Sequence, residues 1–248
     1  IYSADGTLIT TLDAEQNRIS VPLSKVPEFM QNAIVSIEDR RFWDHNGVDP
    51  RAIARAVREN TEAGGVSQGG STITQQYVKN ALLSDDETLS RKLEEAALSM
   101  ELERTYSKER ILELYLNTVY FGNGASGIEA AANTYFGVGS SGLNLPQSAM
   151  LAGIVQSPSL HDPYKNPKDA TKRRNLVLDA MLDEGYINPA THKQVTELPL
   201  GVIPKGDRTA QQPYPAGHFV SEVREWFLGN PEFGTTRAER AELLYGGG

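Results

Sequence analysis

The chain contains no cysteine, which excludes a disulfide framework, a thiolate nucleophile and a cysteine-based zinc site, and leaves its redox compartment unmarked. No apolar run reaches the roughly 18 to 20 residues needed to span a bilayer, and the N-terminus lacks a basic-then-apolar leader pattern. A basic excess is also missing. The 24 Lys and Arg are outnumbered by 32 Asp and Glu, giving a formal charge of −8, which argues against nucleic acid as a partner. Histidine is scarce: His45, His161, His192 and His218 show no paired metal-ligand spacing, so no histidine zinc site is expected. No serine lies in a nucleophile elbow or in a supported Ser-x-x-Lys pattern.

What is present is ordinary globular material. With 248 residues, 39% hydrophobic and 23% charged, the chain has room for one large or two small domains with a real core. It opens at Ile1 without Met and closes on Gly246 to Gly248, which reads as a piece of something longer, with any membrane anchor upstream.

The chain from Ile1 to Val21, with Asp5-Gly6 between short β-friendly runs, reads as a hairpin or extended arm. The remainder has helical periodicity. Phe29, Ala33, Ile34 and Ile37 share one face of a first helix that delivers Glu38 at its C-terminal end. Asp49-Pro50 starts a second helix. The four glycines of Gly64 to Gly70 read as a mobile flap. Helices are then expected from Ser71 to about Leu82 and from after Asp86 to about Arg104, the latter with Leu93, Ala96, Ala97 and Met100 inward. The stripe continues through Leu112, Tyr115, Leu116 and Val119, then through Ile128, Ala131 and Ala132. It returns in Leu145 to Val155 and Ala170 to Met181, and the helical domain closes near Pro204. Phe219, Val223, Trp226 and Phe227 mark a last amphipathic helix in a linker-like tail.

Two acids stand in dense polar surroundings. Glu38 opens EDRRFWDHNGVD, where Phe42-Trp43 are expected to wall off water while Asp39, Arg40, Arg41 and His45 crowd around. A carboxylate shielded in this way is costly without a task, which favours a functional role over a solvated helix end. Glu95 closes RKLEE, four residues after Arg91 and beside Lys92. That spacing fits either a surface i,i+4 ion pair or a carboxylate balancing a cation in a cleft. Between them, GGSTITQQYVKN puts backbone N–H groups and hydroxyls at a helix start. It serves either as a cradle for an anion such as a diphosphate or as an ordinary N-cap. Two such carboxylates are the minimal kit for glycosidic chemistry.

EDRRFWDHNGVD, GGSTITQQYVKN, RKLEE, RILELYLNTVYFGNGASGIEAAANTYFG and LPQSAMLAGIVQSP occur in this order. The series resembles the peptidoglycan glycosyltransferase domain, glycosyltransferase family 51, of class A bifunctional penicillin-binding proteins. NPKDATKRRNLVLDAMLDEGYI looks like that family's closing helix. The resemblance implies a mainly α, lysozyme-like fold of two lobes flanking a groove, with a short N-terminal extended or hairpin segment. It implies a glycosyltransferase domain over residues 1–205, and over 206–248 a linker toward a downstream transpeptidase domain.

By motif position, the resemblance implies Glu38 as the general base on the acceptor 4-hydroxyl and Glu95 as the second essential carboxylate, near the donor diphosphate or its metal. Lys79, with Arg91 and Lys92, would stabilise the leaving diphosphate; Ser71, Thr72, Gln75, Gln76 and Asn80 would line sugar and phosphate sites. The implied partners are lipid II and the growing glycan chain, the membrane surface, moenomycin-type inhibitors, and cell-wall synthesis and division proteins. The implied location is the extracytoplasmic face of the bacterial plasma membrane, anchored by an upstream transmembrane helix. Mg²⁺ or Mn²⁺ would share the charge of the diphosphate, and no organic cofactor is implied. Glu87, Val138 and Gln147 depart from the family pattern, in which the first two positions are commonly basic and the third acidic.

Overall fold

The computed structural model describes residues 20–55, 70–82, 89–204, 223, 226–236, 239–240 and 243–244. The expected N-terminal arm up to residue 19, residues 64–69 of the expected flap, and Glu87 lie outside them. Among the described residues the only regular elements are helices: α1 (Glu28–Glu38), α2 (50–55), α3 (Ile73–Leu82), α4 (Leu89–Thr105) and α5 (Lys108–Thr118). After them come α6 (Ile128–Phe136), α7 (Leu145–Ile154), α8 (Pro167–Asp183) and α9 (Pro189–Thr196).

Local chemistry sets the ends. Ser107 caps α5 by accepting from the Arg110 amide, with Glu109 in the first turn where the helix dipole favours an acid. Gly137 closes α6 in the left-handed conformation, at φ 66°. Pro167 and Pro189 sit in the first turns of α8 and α9, where their missing N–H costs nothing. At α7 the Asn144 side chain accepts from the Gln147 amide and the Gln147 side chain accepts from the Asn144 amide, a reciprocal capping box. Glutamine serves the N3 position as an acid would, so this departure leaves the cap intact.

The helices pack as two groups. The first is α1 with α7 and α8, buttressed by α9; the second is α3 with α4 and α5. A shared core of Met30, Ile34, Ile73, Leu112, Leu116, Ile128, Leu151 and Leu178 runs through both. Arg174, fully buried on α8, donates to the Thr196, Leu198 and Pro199 carbonyls and so satisfies the end of α9.

Two expected stripes are corrected. On α1, Phe29 is 41% exposed and Met30 takes the core position. On α4 the assignment inverts: Leu93 is 72% and Met100 44% exposed, while Arg91, Glu95 and Ser99 are buried. Those three polar residues are spaced by four and form one face, of which Arg91 and Glu95 line the cleft between the two groups while Ser99 packs on Gly47.

Candidate active site

Glu38, the last residue of α1, lies against both helix groups. Its Oε2 accepts from Gln76 Nε2 of α3 at 2.9 Å. The Tyr115 hydroxyl of α5 donates to Gln76 Oε1 at 2.8 Å, which fixes the amide with its NH₂ toward the acid. The other oxygen, Oε1, has no hydrogen-bond partner among the described residues; the Arg173 guanidinium of α8 stands 3.9 Å away. Burial raises the Glu38 carboxyl above the ordinary value, opposed by the Gln76 hydrogen bond and Arg173 and reinforced by the neighbouring Asp39 charge. Burial, with Glu38 and Asp39 nearby, also pushes the Tyr115 phenol well above its usual range.

Phe42 and Trp43 do not supply this shielding. Phe42 is fully buried, edge-on to His45 and beneath the Lys108 ammonium, while Trp43 is 43% exposed. Neither lines the cavities described below. Asp39 and His45 instead belong to a buried network. The His45 ring is 2.8 Å from Asp39 Oδ2, Lys108 bonds Glu103, and the Thr74 hydroxyl donates to Glu103.

The start of α3 turns out to be a capping box. Thr72 Oγ1 accepts from the Gln75 amide, and Gln75 Oε1 accepts from the Thr72 amide. The Ile73 amide donates to Asp39 Oδ2 at 3.0 Å. These leading donors are already engaged by the chain's own groups, so the N-cap reading prevails over the anion cradle. Thr72, 1% exposed with its hydroxyl donated to the Gly47 carbonyl, lines neither cavity, so the structure places this expected substrate-binding residue in the cap of α3.

Glu95 is 1% exposed. Its Oε1 accepts from Lys92 Nζ and from Gln75 Nε2, and its Oε2 lies 3.9 Å from Arg91 Nη1. The cleft reading of Arg91 and Glu95 therefore holds. Lys92 also donates to Ser71 Oγ at 3.0 Å, and so ties α4 to the entry of α3.

Two cavities meet at Glu38. One, of about 850 Å³, extends between α1 and α8 along Arg40, Arg55, His161, Lys172 and Arg173. The other, of about 770 Å³, is lined by Gln75, Lys79, Asn80, Arg91, Lys92 and Glu95. Glu38, Ser71, Gln76 and Gln156 line both. The structure thus brings together every expected site residue except Thr72.

A family model described as Transglycosylase matches residues 5–182. The chain belongs to the transglycosylase family. The chain is 48% identical over 202 residues to penicillin-binding protein 1A of Aquifex aeolicus, covering 82% of the chain and 28% of that relative. It is 46% identical over 187 residues to penicillin-binding protein 1A of Escherichia coli, covering 75% and 22%. The crystal structure of penicillin-binding protein 1A from Haemophilus influenzae superposes with a TM-score of 0.51 at 26% identity, covering 96% of this chain and 24% of that one. The chain thus spans between a fifth and a third of the length of these relatives.

Sequence reading missed two groups on Glu38. Tyr115 was read as core, which it is, but its hydroxyl sets the Gln76 amide. Arg173 lies in KRRN, and only the three-dimensional fold tells it from Arg174, which faces α9. The one available signal was that two adjacent arginines on a helix point about 100° apart, so one must leave the face of the other.

Proposed function

We propose that this chain is a peptidoglycan glycosyltransferase that polymerises lipid II into β-1,4-linked glycan strands, with inversion and release of undecaprenyl diphosphate. The observation that carries the reading is the position of Glu38 at the junction of two cavities, one oxygen held by Gln76 and the other without a hydrogen-bond partner among the described residues. A single inverting displacement needs one base between an acceptor alcohol and a donor anomeric carbon, and cations for the departing diphosphate.

The 770 Å³ cavity suits the donor, because Lys79, Arg91 and Lys92 line it. Among the described residues Lys79 has no ion-pair partner, which leaves its charge for substrate. Glu95, by bonding Lys92 and Gln75, holds the surrounding donors in place. The 850 Å³ cavity then receives the sugar whose 4-hydroxyl loses its proton to Glu38.

A divalent cation fits poorly as a protein-held group. Among the described residues no three acidic or histidine side chains are grouped so as to hold a metal ion, and Glu95 is already occupied by the chain's own nitrogen donors. Mg²⁺ or Mn²⁺ would enter with the diphosphate.

A lysozyme-like hydrolase would require one carboxyl as proton donor to a departing sugar. Glu95 is engaged as an acceptor, which favours transfer with an anionic leaving group. No helix among the described residues is long and apolar enough to cross a membrane. The exposed apolar side of α4, with Leu93 and Met100, supports contact with a membrane surface, which fits a lipid-linked substrate at the extracytoplasmic face.

The test is polymerisation of labelled lipid II with and without moenomycin. The parent should elongate chains and be inhibited. Glu38→Gln should lose elongation while still binding lipid II, since removal of a base strikes the chemical step. Digestion of preformed glycan with lipid II left unpolymerised, or a Glu38→Gln variant as fast as the parent, would sink the proposal.

A further inference from the structure

Arg173 reaches Glu38 from the opposite side to Gln76. Its Nε donates to the Gly153 carbonyl of α7 at 3.3 Å, and its Nη2 stands 3.9 Å from Glu38 Oε1. The side chain is only 14% exposed. Gly153 is what admits it: a Cβ at that position would lie 3.0 Å from Arg173 Cγ, so the absent side chain leaves the channel along which the guanidinium runs. We propose that Arg173 is a positioning residue for the transfer reaction, anchored on α7 so that its fixed cation holds the Glu38 carboxylate charged at the junction of the two cavities. This rests on Glu38 being the base.

The balance of charges around Glu38 explains the need. Asp39 is adjacent on the chain and unfavourable; Tyr115 and Gln76 approach from α5 and α3 without charge. In the cavity shared with Arg173, Arg40, Arg55 and Lys172 face the opening, with Asp169 and His161 beside them. Across Glu38, Lys79, Arg91 and Lys92 line the other cavity together with Glu95, which pairs with Arg91 and Lys92. Among the described residues Arg173 is the one cation that forms an ion pair with Glu38. Lys172, its neighbour in sequence, pairs with Asp169 instead and has a side chain 79% exposed. An opposite charge within about 4–6 Å favours the charged form of a carboxyl that burial would otherwise neutralise.

Carbon-13 titration of glutamate side-chain carboxyls in the whole chain reads this without reference to activity, with Glu38→Gln assigning the resonance. Arg173→Gln should move the Glu38 titration upward by about one pH unit or more. Arg173→Lys should restore part of the shift, and Lys172→Gln should leave it in place. In lipid II polymerisation, Arg173→Gln should lower kcat and move the acidic limb to higher pH, with KM little changed. A Glu38 titration equal in parent and Arg173→Gln overturns the proposal, as does a loss confined to KM. If the parent fails to polymerise lipid II while the titration shifts as stated, the reading of function falls and the pairing stands.

Discussion

The Glu38 carboxyl is held where burial favours its neutral form against the pull of Gln76 and Arg173, and that balance has a measurable sign. The folded-state proton affinity of Glu38 is raised above the ordinary 4.5. Its contribution to stability is therefore present at pH below the ordinary carboxylate range and is lost as pH rises through the raised value. At pH 7 the charge destabilises the fold. Glu38→Gln should melt higher than the parent at pH 7, by about 2–4 °C for each kcal/mol relieved, and the gap should close near pH 4. Calorimetry at the two pH values checks this; equal melting temperatures at pH 7 would contradict it. Tyr115→Phe removes the donor that orients the Gln76 amide and should slow polymerisation on the order of 10-fold, at a stability cost of about 1 kcal/mol. Steady-state kinetics would show the loss in kcat rather than KM. The acid itself was legible from its crowded setting in the sequence. Its surroundings were not, because Gln76, Tyr115 and Arg173 come from three helices whose rotations about their axes are set only by packing.

At the scale of elements, hydropathy placed the helices well, misassigned Phe29 on α1 and inverted the face of α4. The four-residue spacing of Arg91, Glu95 and Ser99 was as regular as that of Leu93, Ala97 and Met100, and the apolar set reads inward only on the assumption that water lies outside. For a helix that meets lipid, the rule reverses. Leu93→Ser with Met100→Ser should weaken partition onto anionic phospholipid vesicles about 100-fold or more, since each aliphatic side chain removed from water contributes ~1.5–3 kcal/mol. Co-sedimentation measures it, with an unchanged melting temperature showing that the substitutions leave the fold alone. Helix ends were more legible than faces. Thr72 and Gln75 stand at the spacing of a capping box, and Thr72→Ala should cost about 1 kcal/mol in chemical denaturation.

Across the whole molecule, the loop after α1, the start of α3 and the middle of α4 converge on Gly47. Its φ is +88°, and a Cβ there would lie 2.6 Å from the Ser99 carbonyl group. Its own carbonyl accepts from Thr72 Oγ1 at 2.6 Å. Ser99 sits one turn beyond Glu95 on α4, and its hydroxyl donates to the Glu95 carbonyl. Gly47→Ala should push α4 outward and displace the Lys92 and Glu95 cluster relative to Glu38, with polymerisation falling ~100-fold while circular dichroism still reports a helical fold. A variant with parental activity would show that this contact does not set the site. Backbone meets backbone here, and no torsion of a side chain can open a gap between them. The span from Glu38 to the Lys92 and Glu95 cluster is thus gauged by two peptide planes in touch, and any attempt to widen that span has to begin by remaking the seam.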